Sequence, residues 1–353
     1  MFAGIPTLAG VAADLIVDSR SASTFRTYAT GERAYIRFIS QSKIPPELLW
    51  PPSPTAVMAF ATHSHHILRR SHNSIRSDIF ALASACNLLG FTFNPEDHPQ
   101  LELLLRGIKR SSHATSRTQR LPITAQLLNT ILPTIDVDNP DELTLFATMV
   151  VGVFGLFRAS ELVAKPGSSP SLPRSAVSFH DHSIAKVFLA TSKTDTFRRG
   201  CSVTVAANGS RICPVAALRH VLASSPNQDG ADPLFQLANG RPVTYKILQN
   251  FIKVACARVG IRAGVSSHSL RIGGATSLAL AGCPAHTIMA MGRWKSLAYQ
   301  LYTRLDDNAF VRISALLAHT AESGASHPFG GLSVEQACRL DHSNIDAVFS
   351  SCM

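Results

Sequence analysis

The spacing of hydrophobic positions changes character along the chain. From residue 21 to 111 it follows a helical period. In "STFRTYATGERAYIRFIS" the residues Phe25, Tyr28, Tyr35, Phe38 and Ile39 fall on one side of a helical wheel, and Arg26, Arg33 and Arg37 fall on the other. Further helices are predicted near 54–70, 74–89 and 98–110. The stretch "SSHATSRTQRLP" is polar, basic, rich in Ser and Thr, and closed by Pro122. It reads as a linker between two domains.

A second block begins near Ile123. "DNPDELTLFATMVVGVFGLFRASEL" carries a strong helix start: Asp138 or Asn139 can cap, Pro140 suits the first turn, and Asp141 and Glu142 favour the positive helix end. Its apolar run, residues 145–157, is too short to span a bilayer and predicts a buried helix. Between Ser175 and Ala206 the period shifts toward two. "AVSFHDHSIAKVFLATSKTDTFRRGCSVTVA" predicts three short strands, with turns at "HDHS" and "KTDTFRRG". Helical patterns resume at "CPVAALRHVLAS", "VTYKILQNFIKVACARVG", "SSHSLRIGGATSLALAG", "CPAHTIMAMGRW" and "SLAYQLYTRL". The predicted class is mainly α, with one small antiparallel sheet in the second domain.

Composition narrows the function classes. The net charge is +10, which raises the odds of a polyanionic partner, because each phosphate neutralised by Lys or Arg releases counterions. The seven cysteines form no CxxC pair and read as reduced thiols of an intracellular protein. The N-terminus lacks the basic region of a signal peptide, and no membrane partner is expected. "HSHH" at 63–66 has no matching ligand cluster nearby, so a solvated or DNA-facing helix is favoured over a metal site.

The chemistry-bearing residues are spread along the second block. In "SSHSLRIGGATS" Ser266 or Ser267 can cap a helix, and a spacing of three puts His268 and Arg271 on one face. A positive helix end, an imidazole and a guanidinium together make an anion site. Gly273 and Gly274 weaken a helix and are explained by close approach of another backbone. Arg158 leaves a nearly all-apolar helix, so it must find water or a partner, and Glu161 is a candidate. Lys193 sits at a strand-to-turn junction, Trp294 lies in "MGRWKS", and Tyr299 and Tyr302 follow.

Arg158, Lys193, the HSLR at 268–271, the GRW at 292–294 and a following tyrosine occur in an order that resembles the tyrosine recombinases, also called the phage-integrase family. The "GRWKS…Y" form is most similar to recombinases of eukaryotic Crypton- and DIRS-type mobile elements. The likeness covers about residues 20–315 and implies the following organisation. An N-terminal extension (1–20) precedes a helical core-binding domain (21–111), a linker (112–122), an α+β catalytic domain (123–320) and a tail (321–353).

The resemblance also implies roles. Arg158 and Arg271 would clamp the non-bridging oxygens of a scissile phosphate, and His268 and Trp294 would add hydrogen bonds. Lys193 would protonate the leaving 5′ oxygen, and Tyr302 would attack phosphorus to give a 3′-phosphotyrosine link. No metal and no cofactor is implied. The partner would be double-stranded DNA, gripped by a tetramer whose C-terminal helix, with 308–320 a candidate, docks on a neighbour. Arg26, Arg33, Arg37, Arg110, Arg117 and Arg120 are candidate phosphate contacts. Trp294 to Tyr302 is eight residues where many relatives use nine, and Tyr299 is the competing nucleophile. The expected function is site-specific DNA recombination for mobile-element integration or excision, in the nucleus if the host is eukaryotic. A DNA-binding protein that has lost catalysis, and a topoisomerase-like nicking activity, are the alternatives.

Overall fold

The computed structural model describes residues 6–42, 50–111, 120–164, 172–192, 195 and 199–303. It divides into two compact units, Met1–Gly274 and Ala275–Met353.

The first unit opens with five helices, α1 (Pro6–Asp18), α2 (Ala22–Gln41), α3 (Pro54–His66), α4 (His72–Leu88) and α5 (Pro99–Ser111). Three of them start the same way. The hydroxyls of Ser21, Ser53 and Ser71 each accept a hydrogen bond from a backbone N–H in the first turn, that of Thr24, Ala56 and Ser74 respectively. Each cap satisfies a donor that the helix itself leaves unpaired. The apolar side of α2 is buried as its period predicts: Tyr35 is fully enclosed and meets Phe60 of α3 edge-on, with ring centroids 5.4 Å apart. Phe38 lies 5.6 Å from the same ring. Burying such rings contributes about 1.5–3 kcal/mol each, so this aromatic group anchors the helical core. Helix α1 lies within the stretch 1–20 that reads as an N-terminal extension.

A second hydrophobic core begins at Ile123 and is built from α6 (Ala125–Ile131), α7 (Pro140–Phe154), α8 (Ala159–Leu162), a sheet, α9 (Pro214–Ser224) and α10 (Tyr245–Arg258). Asn139, not Asp138, caps α7: its side-chain oxygen accepts from the N–H groups of Asp141 and Glu142. Residues Thr144–Val153 are then buried without a break, which accounts for the apolar run. The sheet has the order β1 (Val177–Phe179), β2 (Ile184–Leu189), β3 (Cys201–Ala206), antiparallel throughout. Ala185, Val187 and Leu189 point to the core and pair across β3 with Val205, Val203 and Cys201, while Lys186 and Phe188 face out. The first turn is closed by Asp181, whose carboxylate accepts from the N–H groups of Ser183 and Ile184 at 2.7 and 2.8 Å.

Helix α11 (His268–Leu280) begins in the first unit and ends in the second. In the second unit it reaches a turn at Gly282, where φ is +77°, and α12 (Ala285–Gly292) follows behind Pro284. The expected helix "SLAYQLYTRL" is instead a short 3-10 helix over Leu297–Leu301. The segments 308–320 and "SVEQACRL" lie outside the described residues.

Candidate active site

The turn that joins α7 to α8 holds the first candidate. Arg158 stands just before α8 with extended backbone, and Glu161 serves it twice. One carboxylate oxygen accepts from the Arg158 guanidinium at 2.8 Å, and the other accepts from the Arg158 backbone N–H at 2.8 Å. The Glu161 side chain is 4 % exposed and that of Arg158 is 17 %. A charge leaving an apolar helix therefore finds a partner three residues on, while its guanidinium keeps a path to solvent.

The second group comes from the start of α11. His268 is half-buried, and Arg271 is completely buried. Arg271 donates from Nη1 to the backbone carbonyl of Leu156, two residues before Arg158. Two arginines 113 positions apart in sequence are thus anchored on one turn, Gly155–Arg158. The entry to α11 is held by several polar groups. The hydroxyl of Ser266 is buried without a hydrogen-bond partner. The Ser269 hydroxyl accepts from the Ser266 N–H at 3.0 Å, and the Ser267 N–H donates to Gln249 of α10 at 2.8 Å. The glycine pair is used as expected. A Cβ at Gly273 would overlap the carbonyl of Ile123, and one at Gly274 would overlap the carbonyl of Val153. The segment at Ile123 is fastened there by its N–H, which donates to the Ser269 carbonyl at 3.0 Å.

The second unit holds Trp294 and Tyr302. Helix α12 ends with Arg293 in the left-handed region, φ +57°, and the N–H of Trp294 returns to the Met289 carbonyl at 2.9 Å. This closure folds the indole back over Gly292, where any Cβ would collide with the ring. The indole and the Tyr302 phenol are 4.9 Å apart between centroids, at 46°. Tyr302 is further held by its backbone: its carbonyl accepts from the Thr276 hydroxyl at 3.2 Å, and its N–H donates to the Tyr299 carbonyl at 2.8 Å. Neither Gly292 nor Thr276 was singled out in the sequence for this role, although a glycine directly before the Arg–Trp pair is visible there.

Lys193 and Arg117 lie outside the described residues. Arg26, Arg33 and Arg37 are exposed on α2, Arg110 is exposed in the last turn of α5, and Arg120 is exposed ahead of Pro122. In "HSHH", His63 packs on Phe38 with ring centroids 5.3 Å apart, and His65 meets the hydroxyl of Ser111 at 2.9 Å. No group of three or more potential metal ligands occurs among the described residues. No helix among them is long and apolar enough to cross a membrane.

Residues 182–309 match the Phage integrase family. The match spans Lys193, His268, Arg271, Trp294 and Tyr302, and Arg158 precedes it. The fold is that of solved tyrosine recombinases. The XerH site-specific recombinase bound to its difH substrate aligns with TM-score 0.54 at 15 % identity, over 84 % of this chain and 79 % of that one. The Tn1549 transposon integrase in complex with transposon right end DNA aligns with TM-score 0.55 at 14 % identity, over 84 % and 99 %. A lambda integrase dimer bound to a COC′ core site gives TM-score 0.55 at 14 % identity, over 81 % and 89 %. No curated protein sequence matches. The mainly helical structure with its small three-stranded antiparallel sheet matches that fold.

Proposed function

We propose that this protein is a site-specific DNA recombinase, which cleaves and rejoins strands through a tyrosine–phosphate ester. The observation that carries the reading is the pair of arginines anchored on one turn, within a chain whose integrase domain supplies the histidine, tryptophan and tyrosine in the expected order.

Each role follows from what the side chain can do. The Tyr302 oxygen would form a bond to phosphorus as the bond from phosphorus to the 5′ oxygen breaks. Charge then builds on the non-bridging oxygens, and planar, permanently charged guanidinium groups at Arg158 and Arg271 suit it. His268 can donate a hydrogen bond and help pass the phenolic proton on, and the Trp294 indole can donate one N–H. Lys193 would give the departing 5′ oxygen its proton. The ester conserves the phosphodiester energy, so a 5′ hydroxyl from another strand can reverse the step and complete exchange. Tyr302 is preferred over Tyr299 because its ring rests on Trp294.

The partner on this reading is double-stranded DNA, held by a tetramer on paired sites. The "GRWKS…Y" pattern favours a eukaryotic mobile element of the Crypton or DIRS kind, hence action in the nucleus. The test is covalent trapping: purified protein is mixed with nicked duplexes that include the DNA flanking its gene, then denatured. The expected result is a protein–DNA adduct that disappears in Tyr302→Phe and persists in Tyr299→Phe. DNA binding without any adduct would instead favour a binding protein derived from such a recombinase.

A further inference from the structure

The sequence "GLFR" at 155–158 forms a turn with an unusual backbone. Leu156 has φ +47°, in the left-handed region that residues with a branched, bulky side chain seldom enter. Holding a leucine there costs energy, and such strain persists only where the surroundings enforce it. They do so on every side. Leu156 is 1 % exposed, and its side chain lies where a Cβ on Gly274 of α11 would come within 3.2 Å of it. Its N–H donates to the Val153 carbonyl at 3.2 Å, and the next N–H, of Phe157, donates to the Gly152 carbonyl at 3.0 Å. The Phe157 ring folds back over Gly155 so closely that a Cβ there would overlap it. The left-handed turn directs the Leu156 carbonyl to Nη1 of Arg271. Two residues later the chain delivers Arg158 to Glu161.

We infer that Leu156 is a positioning residue for strand cleavage: its strained backbone holds the carbonyl that sets where the Arg271 guanidinium sits. A completely buried guanidinium needs fixed acceptors, and a rigid main-chain oxygen provides one without adding a negative charge beside the phosphate. A carboxylate in the same place would compete with the phosphate for Arg271. Glycine at 156 would adopt the same φ but would not be confined to it, so the carbonyl would wander. Asparagine is close to leucine in size and tolerates the left-handed region, so it should keep the carbonyl in place.

This inference rests on the recombinase reading, and the experiment separates the two. Adduct formation by the full chain is timed on two nicked duplexes, one with a normal scissile phosphate and one with a methylphosphonate there. The methylphosphonate lacks the charged oxygen that a guanidinium would neutralise. Leu156→Gly is expected to slow the phosphate reaction by about tenfold or more, as misplacement of a positioned group does, and to slow the methylphosphonate reaction much less. Arg271→Ala should show the same imbalance. Leu156→Asn should stay within about threefold of the unaltered protein on both substrates. If Leu156→Gly slows both substrates equally, or neither, or if Leu156→Asn shares its imbalance, Leu156 does not act through Arg271. If the unaltered protein forms no adduct on any substrate, the recombinase reading falls first and this inference falls with it.

Discussion

The Trp294 indole lies against the Tyr302 phenol, 4.9 Å between centroids and tilted by 46°. The contact depends on the α12 terminus, where the turn at Arg293 folds the indole over Gly292. On the recombinase reading proposed above, Trp294 would serve the chemistry in two ways, by seating the tyrosine ring and by donating its N–H. The two are separable. Trp294→Phe keeps an aromatic face but has no donor. We expect it to slow adduct formation by about tenfold, and Trp294→Ala, which removes both, by about a hundredfold. Equal losses in the two variants would assign the whole effect to the N–H.

Gly273 and Gly274 yield a prediction whose sign is set by magnitudes. Replacing an exposed mid-helix glycine by alanine stabilises a helix by about 1 kcal/mol. Here the added methyl would overlap backbone carbonyls, those of Ile123 and Val153, which cannot rotate away. Overpacking of that kind costs about 1–3 kcal/mol or more. Gly273→Ala should accordingly lower stability by about 1 kcal/mol or more net, read as a shift in the denaturant midpoint with unchanged slope. Gly107 in α5, where a methyl meets nothing within 4 Å, is the control, and Gly107→Ala should be neutral or stabilising.

The local features of the fold were legible because local chemistry fixes them. Serine caps, the Asn139–Pro140 helix start and the alternation across β2 all follow from residues within a few positions of one another. The glycine pair could also be read, since two glycines in an apolar helix call for a close neighbour. The Leu156 carbonyl could not. It acts on Arg271 across 115 positions, and nothing in a leucine announces a positive φ. The hold on the entry to α11 was out of reach for a similar reason: Gln249, eighteen positions upstream of Ser267, takes the Ser267 N–H. Glu161 was visible as a partner for Arg158, but its second hydrogen bond, to the Arg158 backbone, needed the turn itself.

Acid should expose one long-range clasp. Arg258, in the last turn of α10, makes a paired contact with Glu142 in the first turn of α7, at 2.6 and 2.8 Å. The Arg258 hydrogen bonds hold the Glu142 carboxyl down to about 2. An unfolded glutamate titrates near about 4.3, so the pair's stabilisation is complete above that pH and is lost as pH falls toward 2. Glu142→Gln should be less stable by about 1 kcal/mol at neutral pH, a value kept modest because both groups are partly in water. The gap between the two proteins should close between about pH 4 and pH 2. Denaturant unfolding at a series of pH values measures it.

The arginines of α2 test whether the helical N-terminal block touches DNA. Arg26, Arg33 and Arg37 are all exposed, on the side of the helix opposite buried Tyr35 and Phe38. A solvated face would look the same, so exposure does not decide the matter. Salt dependence does. A contact with a phosphate releases condensed counterions, and each contact contributes about 0.9 to the slope of log affinity against log salt on duplex DNA. If the face lies on the backbone, replacing all three arginines by alanine should flatten that slope by roughly 2 to 3 and weaken binding to unrelated duplexes as much as to the target. A slope unchanged from that of the unaltered protein would mean that α2 presents its charges to water alone.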